Sequence, residues 1–209
     1  MLGRDFLSEN YYEMCISFFK EDKASCSTDE FIQKLFFLHP TLKVDVDLLH
    51  QIIKQINNRL NIPYHDIKVI GSSHTGFSFI DKSRTNKVKF YDDNKPSDID
   101  IAIINSDLFV DVLEKTVKKT DNYTNNTYFS KQDSVNYFKR NISSGFIRPD
   151  SIGCDETRNM WLDFFSDLSN DYDLKISGAI YLNETFFLER IKNQLHKFKN
   201  ITEVQSGIK

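Results

Sequence analysis

The stretch SDIDIAII, Ser97–Ile104, has one regular way to lie down, as a β-strand. Successive side chains of a strand point to opposite faces, so Ile99, Ile101 and Ile103 share one face while Asp98 and Asp100 share the other. The apolar face requires a core, and a core requires further strands and covering helices. Two carboxylates at a spacing of two repel each other unless a cation sits between them. Hard oxygen ligands of this kind suit Mg²⁺ or Mn²⁺, with phosphate oxygens completing the shell. An isolated Asp-x-Asp is also an ordinary solvated strand edge, so the pair draws its meaning from what precedes it.

What precedes it is another apolar strand-like stretch, DIKVIG, running into GSSHTG at Gly71–Gly76. The chain has only 7 glycines, and two of them bracket this turn. Glycine lets the backbone leave a strand tightly and lets a ligand approach its amides, and Ser72 adds a hydroxyl; together they suit a phosphate. A plain turn uses the same residues. His74 inside the turn has two readings, a contact to phosphate or base and a solvent-exposed loop histidine.

Taken in order, GSSHTG and then SDIDIAII, each on its own strand, resemble the signature of the DNA polymerase β-like nucleotidyltransferase superfamily, and in particular its small prokaryotic members. The resemblance covers residues 46–104 and is looser to about 195. It implies an α+β fold, a nucleotidyltransferase-like mixed sheet flanked by helices, with further helices at the N-terminus. It implies that Gly71, Ser72 and Ser73 hold the triphosphate of an NTP and that Asp98 and Asp100 bind Mg²⁺ or Mn²⁺. The activity implied is transfer of a nucleotidyl group to a hydroxyl acceptor, whether protein, RNA or small molecule, as small members do in toxin-antitoxin and antiphage systems. Two alternatives stay open: a catalytically degenerate member that binds nucleotide or a protein partner, and a cyclic-oligonucleotide signal synthase, for which the chain has little room.

Two features depart from the family pattern. Residues 73–97 separate the Gly-Ser pair from the first acid, a longer interval than in compact members, and KVKFY marks an inserted loop or hairpin there. The family also carries a third carboxylate on the next sheet strand. In DLKISGAIYL, alternation places Asp173, Lys175, Ser177, Ala179 and Tyr181 on one face, of which only Asp173 is acidic. Asp173 is thus the expected third acid, general base or metal ligand, with Lys175 competing for the position as a phosphate contact and Asp150 the alternative from a turn. Arg148 and Arg158 are candidate phosphate ligands, with local carboxylates their ordinary partners. Tyr181 is either a nucleobase platform or core.

The remaining signals frame this site. Ser27 with Glu30 three residues on is a capping box opening a helix over 29–38, closed by Pro40. Leu48, Leu49, Ile52, Ile53, Ile56 and Leu60 predict an amphipathic helix ending before Pro63. Further helices are expected over 5–20, 107–119 with Ser106 as N-cap, 131–140, 156–168 and from Asn183 onward, with the chain frayed past 200. SSGFIRPDSIG reads as a turn-rich connection. The domain boundaries expected are 1–45 as an N-terminal helical segment, 46–200 as the nucleotidyltransferase-like domain and 201–209 as a tail. The 18 Phe and 9 Tyr make aromatic rings the main filling material. A net charge of −3 gives no bulk attraction to a polyanion. Three cysteines without CxxC spacing argue against a disulfide framework and a zinc site. No apolar run approaches the roughly 20 residues of a membrane span, and a cytoplasmic location is expected.

Overall fold

The computed structural model describes residues 4–20, 26–80, 87–131 and 133–205. Among them the chain forms eight α-helices and a four-stranded mixed sheet, an α+β arrangement. In chain order these are α1 (Arg4–Lys20), α2 (Thr28–Gln33), α3 (Val46–Leu60), β1 (Ile67–Ile70), α4 (Ser72–Thr75), β2 (Ile99–Ile104), α5 (Ser106–Lys119), α6 (Ser134–Ile142), β3 (Phe146–Ile147), α7 (Asp155–Tyr172), β4 (Ile176–Tyr181) and α8 (Glu184–Gln205). The strand order is β1-β2-β4-β3, and β3 runs antiparallel to β4 with Phe146 opposite Tyr181. No described helix is long and apolar enough to cross a membrane.

Two compact units divide the chain. The first draws on Met1–Gln51, Val69–Ile99 and Leu188–Lys209, and the second on Ile52–Lys68 and Asp100–Phe187. The first unit is filled by rings. Phe198 of α8 lies 5.2 Å from Phe77 and 5.5 Å from Phe79, and Tyr12 of α1 meets Phe77 edge-on at 5.5 Å. Such offset and edge-to-face pairs add to the area they bury. The capping box is formed, with the Ser27 hydroxyl accepting from the Glu30 amide and the Ser27 amide donating to the Glu30 carboxylate. Directly after α2 the helix widens into a π-turn, Lys34–Leu38, which Pro40 ends. The interval after Gly76 begins as a hairpin. Phe77 bridges Phe90 antiparallel, and the Tyr91 amide donates to the Gly76 carbonyl at 2.8 Å. Its segment 81–86 lies outside the described residues.

In the second unit β4 packs on α7 through Gly178, where the Phe165 ring lies so close that an added Cβ would meet its Cζ at 2.3 Å. Trp161, Phe165 and Leu168 form the buried stripe of α7. Several boundaries differ from expectation. Asn105, not Ser106, caps α5; it leaves β2 still extended and its side chain accepts from the Leu108 amide at 2.8 Å. The turn-rich connection contains the short strand β3, made from two apolar residues that no periodicity could flag. Helix α6 starts at Ser134, α7 runs on to Tyr172, and α8 extends regularly to Gln205 where fraying was expected; residues 206–209 lie outside the described ones.

Candidate functional site

Gly71 ends β1 with φ 72° and ψ −160°, a conformation that side-chain-bearing residues avoid, and caps the single turn α4. Gly76 closes that turn in the left-handed region, at φ 82°. The amides of His74 and Thr75 both donate to the Gly71 carbonyl and that of Gly76 to Ser72. Ser72 and Ser73, as the first two helical residues, have no carbonyl one turn back to donate to. Ser72 is half-buried, whereas the Ser73 side chain is buried and its hydroxyl donates to the Ile70 carbonyl at 3.3 Å, so only its amide is left for a ligand.

His74 is not an exposed loop residue: its side chain is buried. Nε2 lies 2.7 Å from the Leu35 carbonyl and Nδ1 3.1 Å from the Thr41 hydroxyl. A carbonyl only accepts, so Nε2 carries the hydrogen and Nδ1 accepts from Thr41. Burial pushes the imidazole pKa down to about 4, with the Leu35 carbonyl pulling the other way and His39 adding repulsion. The ring is therefore neutral at physiological pH and offers no positive charge to a phosphate.

Asp98 is half-buried and sits one residue ahead of β2. In the second unit, Asp100 is the second residue of β2, also half-buried, and its Oδ1 accepts from the Ser177 hydroxyl at 2.9 Å. The side chain that β4 sets beside Asp100 is thus a hydroxyl, where a third carboxylate is expected. Asp173 is not on that strand. It is exposed, at φ 50° in the left-handed cap that ends α7, three residues before β4 begins. Aspartate tolerates that conformation better than most residues, which is why it falls there. Lys175 is exposed and also precedes the strand.

The remaining candidates have structural partners. Asp150, in the turn Pro149–Ser151, takes both forks of Arg148 at 2.9 Å each. Arg158 donates to two carbonyls, Tyr128 and Ile152, at 2.7 Å. Tyr181 is core, packed edge-on against Phe187 at 5.3 Å. One cluster escaped the sequence reading: Cys154, Asp155 and Glu156 bring a thiol and two carboxylates within 4.8 Å of one another at the start of α7. The Lys119 ammonium already sits among them, 2.7 Å from Glu156 and 3.5 Å from Asp155, and holds the Glu156 pKa down to about 2. A cation in that place supplies what a metal would.

Asp98 and Asp100 offer hard oxygen donors of the right kind for Mg²⁺ or Mn²⁺, and the Ser177 hydrogen bond orients one of the two carboxylates without consuming its charge. No family model, curated protein or solved structure matches the chain.

Proposed function

We propose that this protein binds a nucleoside triphosphate with Mg²⁺ or Mn²⁺ and transfers its nucleotidyl group to a hydroxyl acceptor. The observation that carries this is the backbone at Gly71. A strand ends in a conformation reserved for glycine and opens at once into a helical turn, and the next strand in the chain, which begins at Ile99, has Asp98 just ahead of it and Asp100 as its second residue. In this reading the amides of Ser72 and Ser73 and the Ser72 hydroxyl take phosphate oxygens, and Asp98 and Asp100 hold the cation. The cation, when bound, orients the triphosphate and offsets charge on it. The acceptor oxygen attacks the α-phosphorus, the bond to the β-phosphate oxygen breaks, pyrophosphate leaves, and the acceptor's proton goes to a base or to water.

A second reading, a module that holds nucleotide without turning it over, is favoured by Ser177. The hydroxyl it places beside Asp100 donates to that carboxylate and is no base at neutral pH.

The test combines binding with turnover. Melting curves with Mn²⁺ and each of the four NTPs should show a stabilisation of about 2.7 kcal/mol at ligand about 100-fold above Kd, a rise in Tm of about 5 to 10 °C. The Asp98→Ala, Asp100→Ala double variant should lose it. α-Labelled NTP incubated with total RNA or lysate then separates the readings: label moving to a macromolecule supports transfer, and binding without label supports the module. An NTP-dependent rise that survives in the double variant removes the site.

A further inference from the structure

We propose that His74 is the positioning residue of the Gly71–Gly76 turn, the bolt by which the segment Leu35–Lys43 holds that turn in the shape a nucleotide needs; this rests on the nucleotide reading of the turn. The case starts from a carbonyl. In an α-helix the Leu35 carbonyl would accept from the amide of His39, but the π-turn diverts that amide to Lys34 at 3.0 Å. The next amide along belongs to residue 40, which is proline and has none. Leu35 is fully buried, so its carbonyl would be left unpaired, at substantial cost. The Nε2–H of His74 supplies the donor at 2.7 Å.

The same segment grips the turn at three more points. Thr41 donates to Nδ1 of His74, the Leu42 amide donates to the His74 carbonyl, and the Lys43 amide to the Ser73 carbonyl, both of the latter at 3.0 Å. The His74 ring stacks on Phe36 with centroids 4.9 Å apart, and Tyr11, whose ring is 6.2 Å away, donates its hydroxyl to the Pro40 carbonyl at 2.8 Å. All four hydrogen bonds engage the middle of the turn, through the Ser73 carbonyl and the carbonyl and ring of His74, and none uses the amides of Ser72 and Ser73. A turn that only reversed the chain would need none of this, because Gly71 and Gly76 already permit the reversal. The grip fixes where the upstream amides point.

Three variants test it, each checked for fold by circular dichroism. His74→Phe keeps the ring against Phe36 but strands the Leu35 carbonyl. His74→Gln restores a side-chain N–H. Thr41→Val removes only the Nδ1 contact and guards against a His74→Phe that does not fold. Two readouts are taken: the Kd for each NTP with Mn²⁺, and hydrogen exchange in the peptide covering 68–79. His74→Phe should weaken NTP binding about tenfold, the worth of one lost hydrogen bond, and speed exchange. His74→Gln should return affinity to within about threefold, and Thr41→Val should speed exchange in the same peptide by less than His74→Phe does. Unchanged exchange in both His74→Phe and Thr41→Val, or a His74→Gln that binds no better than His74→Phe, overturns the proposal. If the unsubstituted protein binds no NTP while exchange in the variants still rises, the nucleotide reading fails and the grip on the turn stands.

Discussion

Acid should unfasten this protein at His74 before it touches most of the core. An unburied imidazole titrates at about 6.5, whereas burial brings His74 down to about 4 in the folded chain, against the upward pull of its bond to the Leu35 carbonyl. Between those values the unfolded chain takes up a proton that the folded chain refuses. Stability therefore rises with pH across that window: the His74 contribution is complete above about pH 6.5 and is lost as pH falls toward 4. The shift from 6.5 to about 4 is about 2.5 units, and at about 1.4 kcal/mol per unit this amounts to about 3 kcal/mol. A domain whose whole stability is about 5 to 15 kcal/mol feels such a loss. Urea unfolding followed by circular dichroism at about pH 7 and about pH 4 measures it, with His74→Gln as the non-titrating control. Carboxylates give both proteins the same background, so the wild type should lose about 3 kcal/mol more than the variant. Equal losses in the two would show that His74 is not held neutral by burial, and the hydrogen-bond assignment at Nε2 and Nδ1 would go with it.

Two more predictions concern β4. Gly178→Ala forces a methyl into the Phe165 ring and should cost about 1 to 3 kcal/mol, with Phe165→Leu in the same chain recovering part of the loss; urea unfolding read by Trp161 fluorescence would refute the close packing if Gly178→Ala were neutral. Ser177→Asp puts a carboxylate where Ser177 now donates to Asp100, so it should lower Tm without metal and tighten Mn²⁺ binding about tenfold, measured by calorimetry; unchanged Mn²⁺ affinity would count against a cation at Asp100.

The parts of this structure legible in the sequence are those that local chemistry dictates. The capping box at Ser27, the amphipathic α3, the apolar face of β2 and the breaks at Pro40 and Pro63 all follow from residues within a few positions of one another. What was missed depends on distant contacts. The Leu35 carbonyl needs a donor because of a π-turn, and that donor is 39 residues away. Nothing in GSSHTG announces it, so the burial of His74 could not be foreseen. Strand β3 exists because two residues find Ile180 and Tyr181, not because they alternate. Asp173 was displaced from its expected strand by counting alternation back through residues that are still turn. One signal was available there: after Gly, Asp and Asn are the residues that most readily take a left-handed conformation, so an Asp just after a helix and shortly before a strand is a candidate for its cap.

The residue beside Asp100 is decided by packing on the opposite face of β4. Ile176 and Ile180 are buried with Gly178 between them, and Phe165 occupies the space a side chain at 178 would take. This fixes the register, because a slip of one residue would turn the isoleucines outward and drive Ser177 into the Phe165 ring. The junction ahead of the strand is pinned as well. The Ser169 hydroxyl donates to the Phe165 carbonyl at 2.6 Å and accepts from the Ile176 amide at 3.0 Å, so β4 begins where α7 holds it. Asp173 is thereby kept in the connecting turn, and the outward face of the strand passes from Lys175 to Ser177 and Ala179 without an acid. On the proposed reading, nucleotidyl transfer would have to take the acceptor's proton by a group other than a β4 carboxylate. Placing a carboxylate at position 177 changes only one exposed side chain, whereas moving Asp173 onto the strand would require α7 to be repacked.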